Sequence, residues 1–347
     1  MLELVSKPDN PTNWALAKLE MYNAQFIAQS PSLTGRAGEG LITLNFEQHM
    51  SIAKEIRKLK YRFFSWRRYP ALTPSDEPID VVIPIIAKDL KILPLCLEGV
   101  RKCVCHTIKQ IYIVAPKQKE IVDFCSANNL EFINENDVFG YAPKELNIKL
   151  SNGSDRSGWL FQQFVKLSGA IGSCRYYLCI DADHVLIHPH VFLTDKQETV
   201  FYLSYEDHQP YYDIIRRLLP DLQIGSLSYV DHKMLFDKEQ LHELHNALSS
   251  NHDGKPWQQV IIDNLDRNEQ SGFSEFETYG NFVQRKVLRP WQQKRLPYKK
   301  IADYDTLRSK YARWFRWTLT FPDYMRENKQ THPSPPCEGG RSKRLND

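Results

Sequence analysis

Nowhere does the 347-residue chain approach the ~18 consecutive apolar residues that a membrane-spanning helix needs. Its first residues, MLELVSKPDNPTNW, lack a charged segment followed by an apolar one, which argues against a cleaved signal peptide. Excess charge is missing too. Lys and Arg total 45 against 42 Asp and Glu, a net charge of +3, too balanced for a dedicated nucleic-acid binder. Cysteine is scarce and irregular: seven residues, an odd number without repeated spacing, exclude a disulfide framework. Cys103, Cys105 and His106 form a C-x-C-H that lacks the second ligand pair of a zinc site, so buried free thiols are expected. What remains is an ordinary globular composition, 42% hydrophobic and 25% charged. A cytoplasmic protein is the expectation.

Residues 1–75 read as a helical extension, with helical periodicity over 13–29 and 47–66. Prolines at 70, 74 and 78 mark its end. Beyond them, short β-rich runs alternate with helices. IDVVIPII (79–86), IKQIYIVA (108–115), LEFIN (130–134) and RYYLCI (175–180) predict strands. Helices are expected near 90–101, 117–128 and 157–171 between them. TVFYLSY (199–205) and MLFD (234–237) predict further strands, with helices near 210–219, 238–249 and 256–266. Such alternation predicts an α/β domain with a mostly parallel central sheet over 76–300. A basic helical segment over 301–326 and a disordered Pro- and Gly-rich tail over 327–347 complete the division.

The chemistry concentrates in Tyr176-Tyr177-Leu178-Cys179-Ile180-Asp181-Ala182-Asp183-His184-Val185. Asp-x-Asp alone means little, and Asp303-Tyr304-Asp305 is a second copy without a strand before it. At 181–183 a buried strand runs straight into the motif, and open α/β sheets bind ligands just beyond the carboxyl ends of their strands. Two carboxylates there suit a hard divalent cation, Mn²⁺ or Mg²⁺, which can hold a diphosphate. Both nucleotide-sugar glycosyltransferases and haloacid-dehalogenase-type phosphatases place aspartates this way. The phosphatase pattern wants the motif near the domain start and a later Gly-Asp loop, and neither is present. In the helix before the strand, Trp159, Gln162, Gln163 and Lys166 share a stripe and are candidates for nucleotide or phosphate contacts. Lys88 and Asp89, in the loop after the first strand, are candidates for the base or ribose; Asp89 could equally initiate a helix.

The segments GWLFQQFVKL, YYLCIDADHVL, SYVDHKMLFD and GFSEFETYGNF, in this order, resemble a bacterial family of GT-A-like, Asp-x-Asp-containing nucleotide-sugar glycosyltransferases of uncharacterised activity. The resemblance covers roughly 79–295. It implies a metal at Asp181 and Asp183 and sugar transfer to a glycan or lipid-linked acceptor, as in surface polysaccharide synthesis. The family often pairs histidines in the third motif, whereas this chain has Asp231-His232-Lys233. His232 is left as the candidate third ligand. For an inverting transfer, Glu275 and Glu277 are candidates for the base, on a loop opened by Gly272.

Two basic amphipathic segments lie outside this pattern. Ile52, Ile56, Leu59, Phe63 and Trp66 form one apolar stripe among lysines and arginines; Leu307, Tyr311 and Trp314 form another. Either stripe could pack on the domain or meet an anionic membrane at the inner face of the cytoplasmic membrane. Nucleic acid is not expected as a partner, because no base-stacking strand is present. The overall expectation is a metal-dependent glycosyltransferase with a nucleotide-sugar donor. The alternatives are a metal-dependent phosphatase or nucleotidyltransferase, or a non-catalytic binding protein of the same fold.

Overall fold

The computed structural model describes residues 56, 58–65, 69–206, 208–290, 293–313 and 316–322. By its contacts the chain divides after Ala53, and the unit Lys54–Asp347 holds the sheet and the site. The expected helix over 13–29, most of 1–75 and the tail over 327–347 lie outside the described residues.

Strands β1 (Ile79–Pro84), β2 (Ile108–Ala115) and β3 (Glu131–Asn134) alternate with helices α1 (Leu93–Cys103) and α2 (Lys119–Ala127). A short α3 (Glu135–Phe139) and then α4 (Ser157–Leu167) lead into β4 (Tyr176–Ile180). Next come β5 (His184–Leu186), β6 (Thr199–Leu203), α5 (Gln209–Leu218), β7 (Lys233–Asp237), α6 (Lys238–Ser250), α7 (Trp257–Asn264) and α8 (Glu275–Phe282). The chain continues through β8 (Lys286–Pro290), β9 (Gln293–Arg295), α9 (Tyr304–Ala312) and β10 (Thr318–Thr320).

The central sheet has the order β3-β2-β1-β4-β7. All its pairs are parallel except β4 with β7. The chain thus builds outward from β1 through β2 to β3, then returns to place β4 on the other side of β1. That reversal makes the carboxyl ends of β1 and β4 the sheet's ligand-binding edge. Period-2 alternation explains the layering. Tyr176, Leu178 and Ile180 join the core under α1 and α2, while Tyr177 and Cys179 join the core under α4, α6 and α8. β4 is wholly buried, as a central strand covered on both faces must be.

A second, three-stranded sheet has the order β5-β10-β9. The segment expected as a separate basic helix over 301–326 is therefore woven into the domain: β10 lies between β5 and β9, and Tyr304, Leu319 and Phe321 share a core with Val185 and Ile187. Leu307 and Tyr311 pack against that same core. In the first basic segment the stripe is rotated from expectation. Ile56, Leu59 and Phe63 are exposed, and Tyr61 and Phe64 are the residues packed on the main core. Ile52, Trp66 and Trp314 lie outside the described residues.

The six described cysteines are free. His106 is no ligand: its Nε2 accepts from the backbone N–H groups of Phe192 and Leu193 at 2.8 and 3.2 Å, so the C-x-C-H serves packing.

Candidate active site

Asp181 stands one residue beyond β4, where its N–H donates to the His232 carbonyl at 2.9 Å. That bond ties the end of β4 to the start of β7. His232 itself has φ +52°, a left-handed backbone that a non-glycine residue adopts at a cost of order 1–3 kcal/mol. Its imidazole stacks against His184 with ring centres 5.5 Å apart, and His184 Nδ1 lies 2.8 Å from Thr320 Oγ1.

Both oxygens of Asp181 are engaged. Oδ1 accepts from Lys166 Nζ at 2.8 Å, and Oδ2 lies 3.0 Å from His232 Nδ1. Lys166, 5% exposed on α4, also donates to Glu275 Oε1 at 2.8 Å. A buried ammonium between two carboxylates is well compensated, and its proton is held above the usual lysine range: burial opposes the charge, but Asp181 and Glu275 outweigh it. Burial likewise works to raise the Asp181 pKa, yet Lys166 and His232 hold it well below the carboxylate range. Asp183, whose carboxylate accepts no hydrogen bond among the described residues, moves the other way. Burial, with Asp181 and Asp89 nearby, pushes it up to about 6.

Ligand atoms of Asp181, Asp183 and His232 lie within 4.8 Å of one another. Among the described residues no other group of three or more His, Cys, Asp or Glu side chains meets that condition. The donor set also passes a chemical test. His232 Nε2 is buried without a hydrogen-bond partner, although an imidazole nitrogen in such surroundings normally has one. Burial disfavours a proton on His232, but the two aspartates override it and raise its pKa. The same field that holds a proton there would attract a divalent cation.

The remaining candidates divide by position. Glu275 joins the cluster, but as the partner of Lys166 and only 2% exposed. Glu277, 1% exposed, is turned away, its Oε2 accepting from Asn281 Nδ2 at 3.3 Å. The expected loop carrying them is helix α8, whose N-cap Ser274 accepts from the Glu277 N–H. Neither carboxylate is open to an acceptor. On α4, Gln163 Nε2 donates to the Trp159 carbonyl at 3.3 Å, and Arg156 lies 4.6 Å over the Trp159 ring. Gln162 and Trp159 are half-buried a turn or two from Lys166. Lys88 and Asp89 do reach the carboxyl end of β1, where Asp89 Oδ2 accepts from the Ile86 N–H at 3.0 Å. The second Asp-x-Asp is structural: Asp303 pairs with Lys300, and Asp305 lies in the first turn of α9.

Sequence reasoning missed the buried pair beneath His232. Asp231 and Lys233 are both fully buried and 2.6 Å apart. Burial pushes the Asp231 carboxyl up to about 7 and the Lys233 ammonium down, drawing the two toward sharing a proton. Two opposite charges flanking His232 were visible in the sequence, but nothing there distinguished burial from a surface turn.

Residues 76–328 match the model of a family described as Family of unknown function (DUF6492). The chain belongs to that family. No curated protein matches it. Among solved structures, mouse xyloside xylosyltransferase 1 in its apo form is similar at 11% identity and a TM-score of 0.41, over 74% of this chain and 100% of that one. The apo WbbM bifunctional glycosyltransferase matches at 12% identity and a TM-score of 0.36, over 74% of this chain and 47% of that one. The galactosyltransferase LgtC in complex with donor and acceptor sugar analogues matches at 11% identity and a TM-score of 0.36, over 70% of this chain and 87% of that one. Likenesses this remote establish no activity.

Proposed function

We propose that the protein is a GT-A-like, metal-dependent glycosyltransferase that takes a sugar from a nucleotide diphosphate donor to a glycan or lipid-linked acceptor. One observation carries the reading: Asp181, Asp183 and His232 converge at the carboxyl end of β4, beside β1, where the strand order reverses. Two carboxylates and an imidazole favour Mn²⁺ over Mg²⁺, which prefers an all-oxygen shell. Bound there, the ion would neutralise charge on the leaving diphosphate.

The chain's own residues prepare that edge. Lys166 keeps Asp181 ionised and fixed, and Glu275 fixes Lys166. Asp181 Oδ2 also holds the His232 imidazole at Nδ1, keeping the three donors gathered at that edge. Asp183 supplies the second carboxylate. Lys88 and Asp89 line the adjoining end of β1, suited to the donor's nucleoside. We assign Glu275 to positioning Lys166 rather than to taking the acceptor's proton, because it is buried and ion-paired.

Titration calorimetry of UDP, GDP and ADP with Mn²⁺ tests the reading. At least one should bind, and Asp183→Ala should abolish that metal-dependent binding while thermal unfolding shows the fold intact. Unchanged affinity in the variant would sink the metal assignment.

A further inference from the structure

Lys166 is buried and committed to two carboxylates, so it has little charge to offer a phosphate outside the sheet edge. A diphosphate at the proposed metal would still present negative charge beyond what one divalent ion neutralises. The register of the small sheet shows where a second cation comes from. Thr320 on β10 is paired on one side with His184 and on the other with Arg295. Laterally paired residues project from the same face of a sheet, and His184 Nδ1 meets Thr320 Oγ1 on that face. Arg295 therefore projects on the face that carries His184 and, stacked on it, His232. It begins two strand spacings away from His184, ~10 Å, a gap that its long side chain largely covers.

Arg295 is also accessible. Its side chain is 47% exposed, and its ion-pair partner among the described residues is Glu206, 3.5 Å away and 34% exposed. That is a loose surface contact of the kind contributing ~0–1 kcal/mol. Its Nε donates to Gln293 Oε1 at 3.3 Å, and Gln293 is in turn anchored to Thr320, so the stem is guided while the outer guanidinium nitrogens stay accessible.

Resting on the reading above, we propose that Arg295 is the diphosphate-binding cation of this site, facing the metal ligands across Thr320 and His184. Guanidinium suits the task because it meets phosphate oxygens in a bidentate fork. No motif in the sequence marks it.

Calorimetry on the full-length protein decides the matter, using UDP, GDP and ADP each with Mn²⁺, and Mn²⁺ alone. Arg295→Gln should weaken the diphosphate by about 10- to 100-fold, the scale of a lost charge-assisted contact, with Mn²⁺ alone bound as before. Arg295→Lys should recover part of the loss. If Arg295→Gln binds the diphosphate as tightly as the unaltered protein, or loses Mn²⁺ alone to the same degree, the assignment is wrong. If the unaltered protein binds none of the three diphosphates with Mn²⁺, the nucleotide-sugar reading falls first.

Discussion

Without the Lys166 ammonium, Asp181 and Glu275 would face each other across a buried gap with no cation between them. Breaking such a group from one side costs about 3–5 kcal/mol, because a buried charge is left uncompensated. Lys166→Met should therefore destabilise strongly, and adding Glu275→Gln should recover part of the loss. Urea unfolding of both single variants and the double variant gives the coupling, and strictly additive effects would show that Glu275 does not act on Lys166. A second residue-scale expectation concerns acid. His245 lies flat on Trp257, ring centres 4.4 Å apart, and its Nε2–H donates to the Leu167 carbonyl. Burial lowers its pKa to about 4. The unfolded chain then binds the proton more readily than the folded one, so stability present above pH ~6.5 is lost as pH falls toward 4, by up to about 3 kcal/mol. Denaturant midpoints at pH 7 and pH 4.5 should separate less in His245→Gln than in the unaltered protein. Equal separation would place the acid sensitivity elsewhere. At this scale the sequence was legible where neighbours in sequence are neighbours in space, as with Asp181 and Asp183. It singled out Lys166 and Glu275 but was silent on their pairing, which joins residues 109 positions apart.

Among elements, the strands were the most readable. IKQIYIVA coincides with β2, and the apolar run before Asp181 coincides with β4 to within one residue. Buried parallel strands are continuous apolar runs bounded by breakers, a pattern that survives without tertiary information. Helix α8 was misread as a loop although Ser274 stands three residues before Glu277, a helix-start spacing. Gly272 drew attention to flexibility instead. The first basic stripe was misread because apolar residues occur on two faces of that helix, and Tyr61 and Phe64 turned inward. A different close approach was invisible from sequence. Helix α1 lies so near β5 that a Cβ at Gly99 would come within 2.8 Å of the Leu186 backbone N and O. Gly99→Ala should destabilise by ~1–3 kcal/mol through forced separation of helix and strand. Because β5 follows directly on Asp183, Mn²⁺ affinity should weaken as well. Normal stability in that variant would mean the helix shifts freely.

For the molecule as a whole, an ion held by three side chains from two distant loops should bind the folded state alone. At about 100-fold above its dissociation constant such a ligand adds ~2.7 kcal/mol, so Mn²⁺ should raise the thermal midpoint in the unaltered protein and leave Asp183→Ala unmoved. An equal rise in both would place the ion elsewhere. The α/β class and mostly parallel sheet were legible from alternation alone. The small sheet was not, since three-residue strands leave no periodicity to read. That small sheet has a temporal consequence. β10 must seat itself between two strands that emerge from the ribosome before it, and Thr320 on β10 connects His184 to Arg295. During synthesis, therefore, the central sheet can form early while the proposed diphosphate side stays unbuilt until β10 has cleared the exit tunnel. Nascent chains halted before Thr318 should be protease-resistant through the central sheet yet unable to retain a diphosphate.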